Sequence, residues 1–473
     1  MRVIKNYLYN AFYQVFILLV PLITTPYLSR VLGPTGVGIN SYTNSIIQYF
    51  ILFGSVGVNL YGNRQVAFVR DDKCKLTRTF YEIFSMRVLT VILAYVAFLI
   101  FLMFTHQYHV YYLAQSVSLV AAAFDISWFF MGVENFAVTV LRNFIVKIIT
   151  LISIFTFVKS YSDLTTYILI LSLSLLIGNI TLFPSLRRYI GRPVIKGMHI
   201  FKHFWPSLVL FVPQIATQIY LVLNKTMLGS MTSVQAAGYF DQSDKMVKMV
   251  LAIVTATGTV MLPHVANAFA NGEHEKTKRY LSKSFSFVTA MSVPMTFGLM
   301  AVAHKFVPLF FTARFLSVTP IMTIEAIVIL LIAWSNAIGT QYLLPTKQTK
   351  AYTTSVIVGA IVNLIMNIPL IILWGAIGAS MATVLSEASV TLYQLVAIKK
   401  QVDFKALFTD TFKYLLAGVL MFVVVWQLDQ HLPSTWLMLI VEVILGILLY
   451  ALLLVVFRVK LIHEAKAILK DHH

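Results

Sequence analysis

Charge is scarce in this chain, and acid is scarcer than base. Only 11% of its 473 residues are charged, where an ordinary soluble domain carries about 25%. Aspartate and glutamate together number 18, against 36 lysines and arginines. There is one cysteine, Cys74, in a basic loop, which excludes an internal disulfide and argues against a thiolate metal site. No nucleophile elbow, P-loop, HExxH pair or Rossmann fingerprint occurs, and no cluster has metal-ligand spacing. Nothing between the apolar runs is long enough to make a soluble catalytic domain. The expectation is therefore a chain that is not an enzyme, has no metal and carries no cofactor.

What is abundant is apolar: 59% of the residues are hydrophobic. A bilayer core takes roughly 20 such residues per helix, and about fourteen windows qualify by sliding-window reading. They lie near 7–28, 38–60, 79–104, 109–131, 137–158, 164–186, 204–226, 238–262, 284–303, 318–343, 352–373, 376–398, 412–428 and 435–457. The fold class expected is an all-α polytopic membrane protein. The first window holds Pro21 and Pro26 and is followed by no small-residue cleavage site, so it reads as a retained span.

The net charge of +18 raises the question of nucleic acid. Its distribution answers against that. Basic clusters such as Arg70, Lys73, Lys75 and Arg78, then Arg187, Arg188 and Arg192, then Lys276, Lys278 and Arg279, fall in alternate loops. The other loops hold only Arg30, Lys159, Lys305 and Arg314. This is the positive-inside bias, and it places both termini in the cytoplasm.

Two connections look related. LSRVLGPTGVGINSYTNS (Leu28 to Ser45) and NKTMLGSMTSVQAAGYFDQS (Asn224 to Ser243) each carry Leu-Gly after one span and a glycine opening the next. The basic loops Val69 to Glu82 and Ala270 to Lys283 follow in the same register. The offset is even in spans, which describes parallel repeats about the membrane normal. The expected organisation is two pseudo-symmetric six-helix lobes, 1–190 and 204–400. A cytoplasmic linker at 191–203 joins them, and two extra C-terminal helices with a cytoplasmic tail fill 401–473.

Polar groups inside spans are costly and tend to face a bundle interior or an aqueous cavity. Asn6, Asn10 and Gln14 share one face of span 1, and Asn40, Asn44 and Gln48 share one face of span 2. Gln214, Thr217, Gln218 and Asn224 line a stripe of span 7, and Asn363 and Asn367 lie on span 11. Such amides either hydrogen-bond between helices or line a shared cavity. Arg87, Lys147, Lys225 and Arg30 have no partner one helical turn away, so they are expected to be cavity cations suited to an anion. Asp241 with Lys245 and Asp244 with Lys248 are i,i+4 pairs in the favourable order. Lys245 and Lys248 join the candidate cations, and the two acids the candidate ion-coupling groups. Asp125, at the end of an apolar run, is expected to pair with Arg142 across a hairpin near Glu134, or else to carry a coupling ion.

FDISWFFMGVENF (Phe124 to Phe136), followed by Arg142-Asn143, resembles the signature of the polysaccharide-biosynthesis flippases, the Wzx-type transporters of lipid-linked O-antigen, capsule and exopolysaccharide units. SRVLGPTGVG (Ser29 to Gly38), GVNLYGNRQVA (Gly57 to Ala67) and GAIGASMATVLSE (Gly375 to Glu387) resemble other segments of that family, motifs shared more widely with multidrug exporters and lipid II flippases. The resemblance implies two six-helix lobes, a cationic cavity and alternating access in a bacterial cytoplasmic membrane. It further implies an undecaprenyl-diphosphate-linked oligosaccharide as cargo, coupling to Na+ or H+, and polysaccharide polymerase machinery and membrane lipids as neighbours. A drug exporter of the same fold would want carboxylates in its cavity. A non-transporting scaffold of glycan assembly would tolerate the loss of the cavity charges.

Overall fold

The computed structural model describes residues 2–193 and 197–462. The side chains at 2–15, 17–18, 212–214, 216–217, 220–221, 257 and 259–260 lie outside the description. The described residues contain helices and no strand, which makes the chain an all-α polytopic protein. Ten helical stretches among them are long and apolar enough to cross a membrane. Their outward side chains are apolar, as at Leu93, Met103, Ile152, Ile372 and Leu448. The fold has two compact units, residues 1–229 and 230–473.

The first unit comprises α1 (Arg2–Ser55), α2 (Val58–Val69), α3 (Lys73–Phe104), α4 (His109–Ala123), α5 (Ser127–Gly132), α6 (Phe136–Phe157), α7 (Leu164–Ile180), α8 (Phe183–Leu186) and α9 (Phe204–Met231). The spans expected at 7–28 and 38–60 both fall largely on α1, which is broken by Gly33 at φ 65°. Glycine adopts that left-handed backbone without a Cβ clash, and Pro34 follows it. The Asp72 side chain accepts from the N–H groups of Cys74 and Lys75 and so caps α3.

The span expected at 109–131 is not one helix. It stops at Ala123 and restarts as α5 at Ser127. Asp125 sits in the break, where its Oδ1 accepts from the Ser127 N–H at 3.0 Å and the Ser127 hydroxyl at 2.6 Å. A short acid that binds backbone two residues on competes with helix and favours a turn.

The second unit comprises α10 (Val234–Thr255), α11 (Thr257–Ala270), α12 (His274–Phe310), α13 (Val318–Glu325), α14 (Ile327–Ser335), α15 (Thr349–Ile398), α16 (Phe404–Leu407), α17 (Thr411–His431) and α18 (Trp436–Val456). A π-helical segment, Asn336–Leu343, extends α14. The spans expected at 352–373 and 376–398 are the two arms of α15, separated by Gly375 at φ 56°. The α17–α18 hairpin buries Tyr414, Met421, Val425 and Leu439 in an apolar layer shared with Val293, Ala301 and Val302 of α12. Lys305, expected in an external loop, lies instead on the last turns of α12 and is 1% exposed. Its reach across to α18 makes that position tenable, because Glu442 supplies the counter-charge.

Candidate functional site

Two of the family-like motifs pack against each other. GVNLYGNRQVA lies on α2 and FDISWFFMGVENF spans α5. A Cβ on Gly62 would stand 2.5 Å from Trp128, and one on Gly132 would stand 2.5 Å from Val66. Each glycine therefore receives the bulky residue of the other segment. Trp128 also stacks on Phe80 of α3, with ring centroids 5.7 Å apart, so the three helices share one dry aromatic core with Phe129 and Phe130. The indole N–H donates to the Asp125 carbonyl at 3.1 Å.

This core holds the acid in place. Asp125 Oδ2 lies 3.4 Å from Arg87 Nη2. Arg87 is 1% exposed, and its Nε donates to the Ala122 carbonyl while Nη1 donates to Asn59 Oδ1, both at 2.6 Å. The expectations of an unpaired Arg87 and of an Asp125–Arg142 pair are both corrected. Arg142 Nη1 donates to Asn179 Oδ1 at 3.1 Å, and Asn179 Nδ2 donates to the Ala121 carbonyl at 2.8 Å. The α4 C-terminus explains the arrangement. Its last carbonyls have lost their i+4 donors and keep only the tighter bonds from the Phe124 N–H to Ala121 at 3.1 Å and from the Asp125 N–H to Ala122 at 3.4 Å, and cations are favoured there. Arg87 serves Ala122 directly, and Arg142 serves Ala121 through Asn179.

Asn59 carries this network to a cavity of about 230 Å³ in the first unit. Gln48, Ser55, Asn59 and Gln218 supply its polar wall, and Ile51, Leu52 and Phe211 its apolar one. Gly57, at φ 69°, turns the chain between α1 and α2 beside Phe211. The cavity thus brings together Gln48 and Gln218 from two expected amide stripes. The other amides of the first stripe do something else. Gln115 Nε2 donates to Asn40 Oδ1 at 3.1 Å, and Asn44 Nδ2 donates to Gln115 Oε1 at 3.3 Å. Asn40 and Asn44 therefore join α1 to α4 as interhelical hydrogen bonds.

The remaining candidates are dispersed. Lys147 is exposed on α6 and makes no hydrogen bond or ion pair among the described residues. Arg30 is exposed on α1, and Lys225 is half-buried on α9. Glu134, at φ 57°, pairs with Arg70 at 2.6 Å on the surface. In the second unit, Lys245 reaches Asp241 at 2.5 Å and Lys248 reaches Asp244 at 2.7 Å. Asn363 is fully buried and accepts from Asn367 Nδ2 at 2.9 Å. The side chains of Asn6, Asn10, Gln14, Gln214 and Thr217 lie outside the described residues.

One hub escaped the sequence reading. Glu82 of α3 is fully buried and accepts from Arg78 Nε at 3.0 Å, Lys202 Nζ at 2.7 Å, His203 Nε2 at 2.9 Å and the His199 N–H at 2.9 Å. It ties the segment before α9 to α3. The signal available was a lone acid at the head of a span facing a basic linker. Tyr61 O–H lies 2.8 Å from His203 Nδ1. Burial holds the His203 imidazole below its ordinary pKa, against the opposing bond to Glu82. The neutral ring then donates from Nε2 to Glu82 and accepts from Tyr61 at Nδ1.

Known proteins frame this geometry. A protein of Escherichia coli strain K12 named for O-antigen transport is 23% identical over 400 residues, covering 84% of this chain and 96% of its own length. A lipid II flippase, MurJ, of Bacillus subtilis strain 168 is 21% identical over 34% of this chain and 30% of its own. Among solved structures, a lipid II flippase MurJ in an inward closed conformation superposes with a TM-score of 0.78 at 20% identity, covering 96% of this chain and all of that one. An inward-facing multidrug resistance MATE transporter gives 0.60 at 11% identity, over 81% and 95% of the two chains. These likenesses show a shared fold. The model of the polysaccharide biosynthesis protein family matches residues 3–269. That is more than half of the chain, which therefore belongs to this family, the Wzx-type family its motifs resemble.

Proposed function

We propose that this protein is a flippase for a lipid-linked glycan. Its cargo is an undecaprenyl-diphosphate-linked oligosaccharide of the O-antigen, capsule or exopolysaccharide kind, moved from the cytoplasmic to the outer leaflet by alternating access. The observation that carries the reading is the amide-lined cavity of the first unit in a chain of the polysaccharide biosynthesis family. Amide side chains offer both donors and acceptors, which suits the hydroxyls of a sugar and gives little to a cationic drug.

The physical problem is the headgroup. A diphosphate cannot enter hydrocarbon unpaired, because burying an uncompensated charge is prohibitive. Lys147, Lys225, Arg30, Lys245 and Lys248 are the candidates to neutralise it in transit, the last two lying beside Asp241 and Asp244. Arg87 is assigned elsewhere: its guanidinium is committed to Asp125 and to backbone, and it holds Asn59 in the cavity wall. The isoprenoid tail remains in lipid. No bond is made or broken, so the protein acts as a transporter and not as an enzyme. Both termini face the cytoplasm of a bacterial cell membrane, coupling is to H+ or Na+, and the exported unit passes to polymerase machinery outside.

Glycan export in cells tests the assignment of cations. Lys147→Ala combined with Lys225→Ala should abolish export at an unchanged protein level. Full export by that variant would remove both lysines from the cargo path, and would favour a scaffold role if export also survived loss of Gln48 and Gln218.

A further inference from the structure

The α17–α18 hairpin joins α12 through three ionisable residues that no part of the cargo reading uses. Lys305 of α12 is 1% exposed, Asp429 of α17 is 3% and Glu442 of α18 is 0%. Lys305 Nζ donates to Glu442 Oε1 and lies 3.8 Å from Asp429 Oδ1. One turn back along each helix stand Val302, Val425 and Leu439, all in the same apolar layer. Among the described residues the other titratable group shown against the trio is His304 of α12, whose Nδ1 is 4.0 Å from Asp429 Oδ2 and whose side chain is 68% exposed.

The charges do not balance. One ammonium faces two carboxylates. Both oxygens of Asp429 and Oε2 of Glu442 have no hydrogen-bond partner among the described residues. An ionised carboxylate buried without a donor carries a large desolvation penalty. Such a group neutralises instead. A single proton removes the excess charge and supplies the missing donor.

We infer that Asp429 and Glu442, beside Lys305, form a proton-binding site that holds one proton at neutral pH. An O–H bond forms on one of the two carboxyls when the proton arrives and breaks when it leaves, with no electron transfer. The exposed His304 imidazole is the neighbour through which the proton exchanges with water. Release leaves a net negative charge buried where the hairpin meets α12, so protonation and the packing of that hairpin are linked. The site stands independently of what the protein carries.

Infrared difference spectroscopy on the purified protein in lipid, between neutral and strongly alkaline buffer, tests it without any transport assay. The wild type should show a protonated-carboxyl C=O band at neutral pH that disappears on alkalinisation and shifts in D2O. Asp429→Asn and Glu442→Gln should each lose the band, because Lys305 then balances the one remaining acid. Lys305→Met should raise its amplitude about twofold, because both acids must then be neutral. Each variant is checked for a monodisperse, helical protein, and the wild-type titration stands even where a variant fails that check. Absence of the band from the wild type at neutral pH, or its survival unchanged in both acid variants, would overturn the proposal. A site filled by a metal cation instead would appear as a wild type with no carboxyl band.

Discussion

Arg87 of α3 and Asp125 of the α4–α5 break form an ion pair, with 3.4 Å between Nη2 and Oδ2, that closes the end of α4. The guanidinium is all but fully buried and has five donors in a fixed fork. Three of its nitrogens find acceptors in Ala122, Asn59 and Asp125. Removing the acid should cost about 3–5 kcal/mol, since it strands a buried charge. Asp125→Ala should therefore lower the thermal midpoint of the detergent-solubilised protein strongly. The double variant Arg87→Met/Asp125→Ala should recover part of that loss. Equal stability of wild type and Asp125→Ala would show that the pair has no structural role.

The interlocked glycines make a second prediction. Gly62→Ala places a methyl 2.5 Å from the Trp128 ring. Overpacking of this kind costs about 1–3 kcal/mol. Because Gly62 and Gly132 seat the same helix pair, the double alanine variant should destabilise by other than the sum of the singles. Thermal unfolding followed by tryptophan fluorescence measures all three.

The amides divide into two roles, and substitutions should separate them. Gln48→Leu with Gln218→Leu changes a cavity wall, so transport should fall several-fold while the unfolding temperature holds. Asn44→Leu breaks the bond to Gln115, so stability should fall by about 1 kcal/mol. Transport per folded molecule should stay. Parallel flux and melting measurements distinguish the two patterns.

His203 gives the segment before α9 a pH dependence. Its folded pKa lies below the ordinary 6.5, so the neutral form is the one that packs. The stabilisation is complete above about pH 6.5 and is lost as pH falls from there through the depressed folded value. Limited proteolysis within 191–203 should be slow at pH 7.5 and faster at pH 5, and His203→Gln should flatten the difference. An equal rate at both values in the wild type would contradict the assignment.

Much of the fold is visible in the sequence because membrane helices announce themselves locally. The apolar windows, the basic loops and the i,i+4 pairs Asp241–Lys245 and Asp244–Lys248 each depend on residues a few positions apart. The same periodicity sets Gln48 and Gln218 on their stripes. The misses are contacts between distant segments. Asn59, Arg87 and Asp125 meet from α2, α3 and the α4–α5 break, and no spacing encodes that meeting. Asp125 stands out for its cost in hydrocarbon, and Arg142, the nearest base along the chain, is the natural partner to expect. The break at Phe124–Ile126 turns the acid towards α3 instead. Lys305 looks like a loop residue in sequence because hydropathy fades at the end of α12, and Glu442 and Asp429 lie more than a hundred residues away.

The most direct measurement of the central claim uses purified protein in liposomes with a short-chain isoprenyl diphosphate oligosaccharide labelled on its glycan, and a cationic dye as competing cargo. The label is followed as it becomes protected from, or exposed to, an external quencher. The expected result is protein-dependent translocation of the diphosphate lipid that is lost in the Lys147→Ala/Lys225→Ala variant, with the dye left unmoved. Transport of the dye alone, or movement of the labelled lipid at the same rate in empty liposomes, would contradict it.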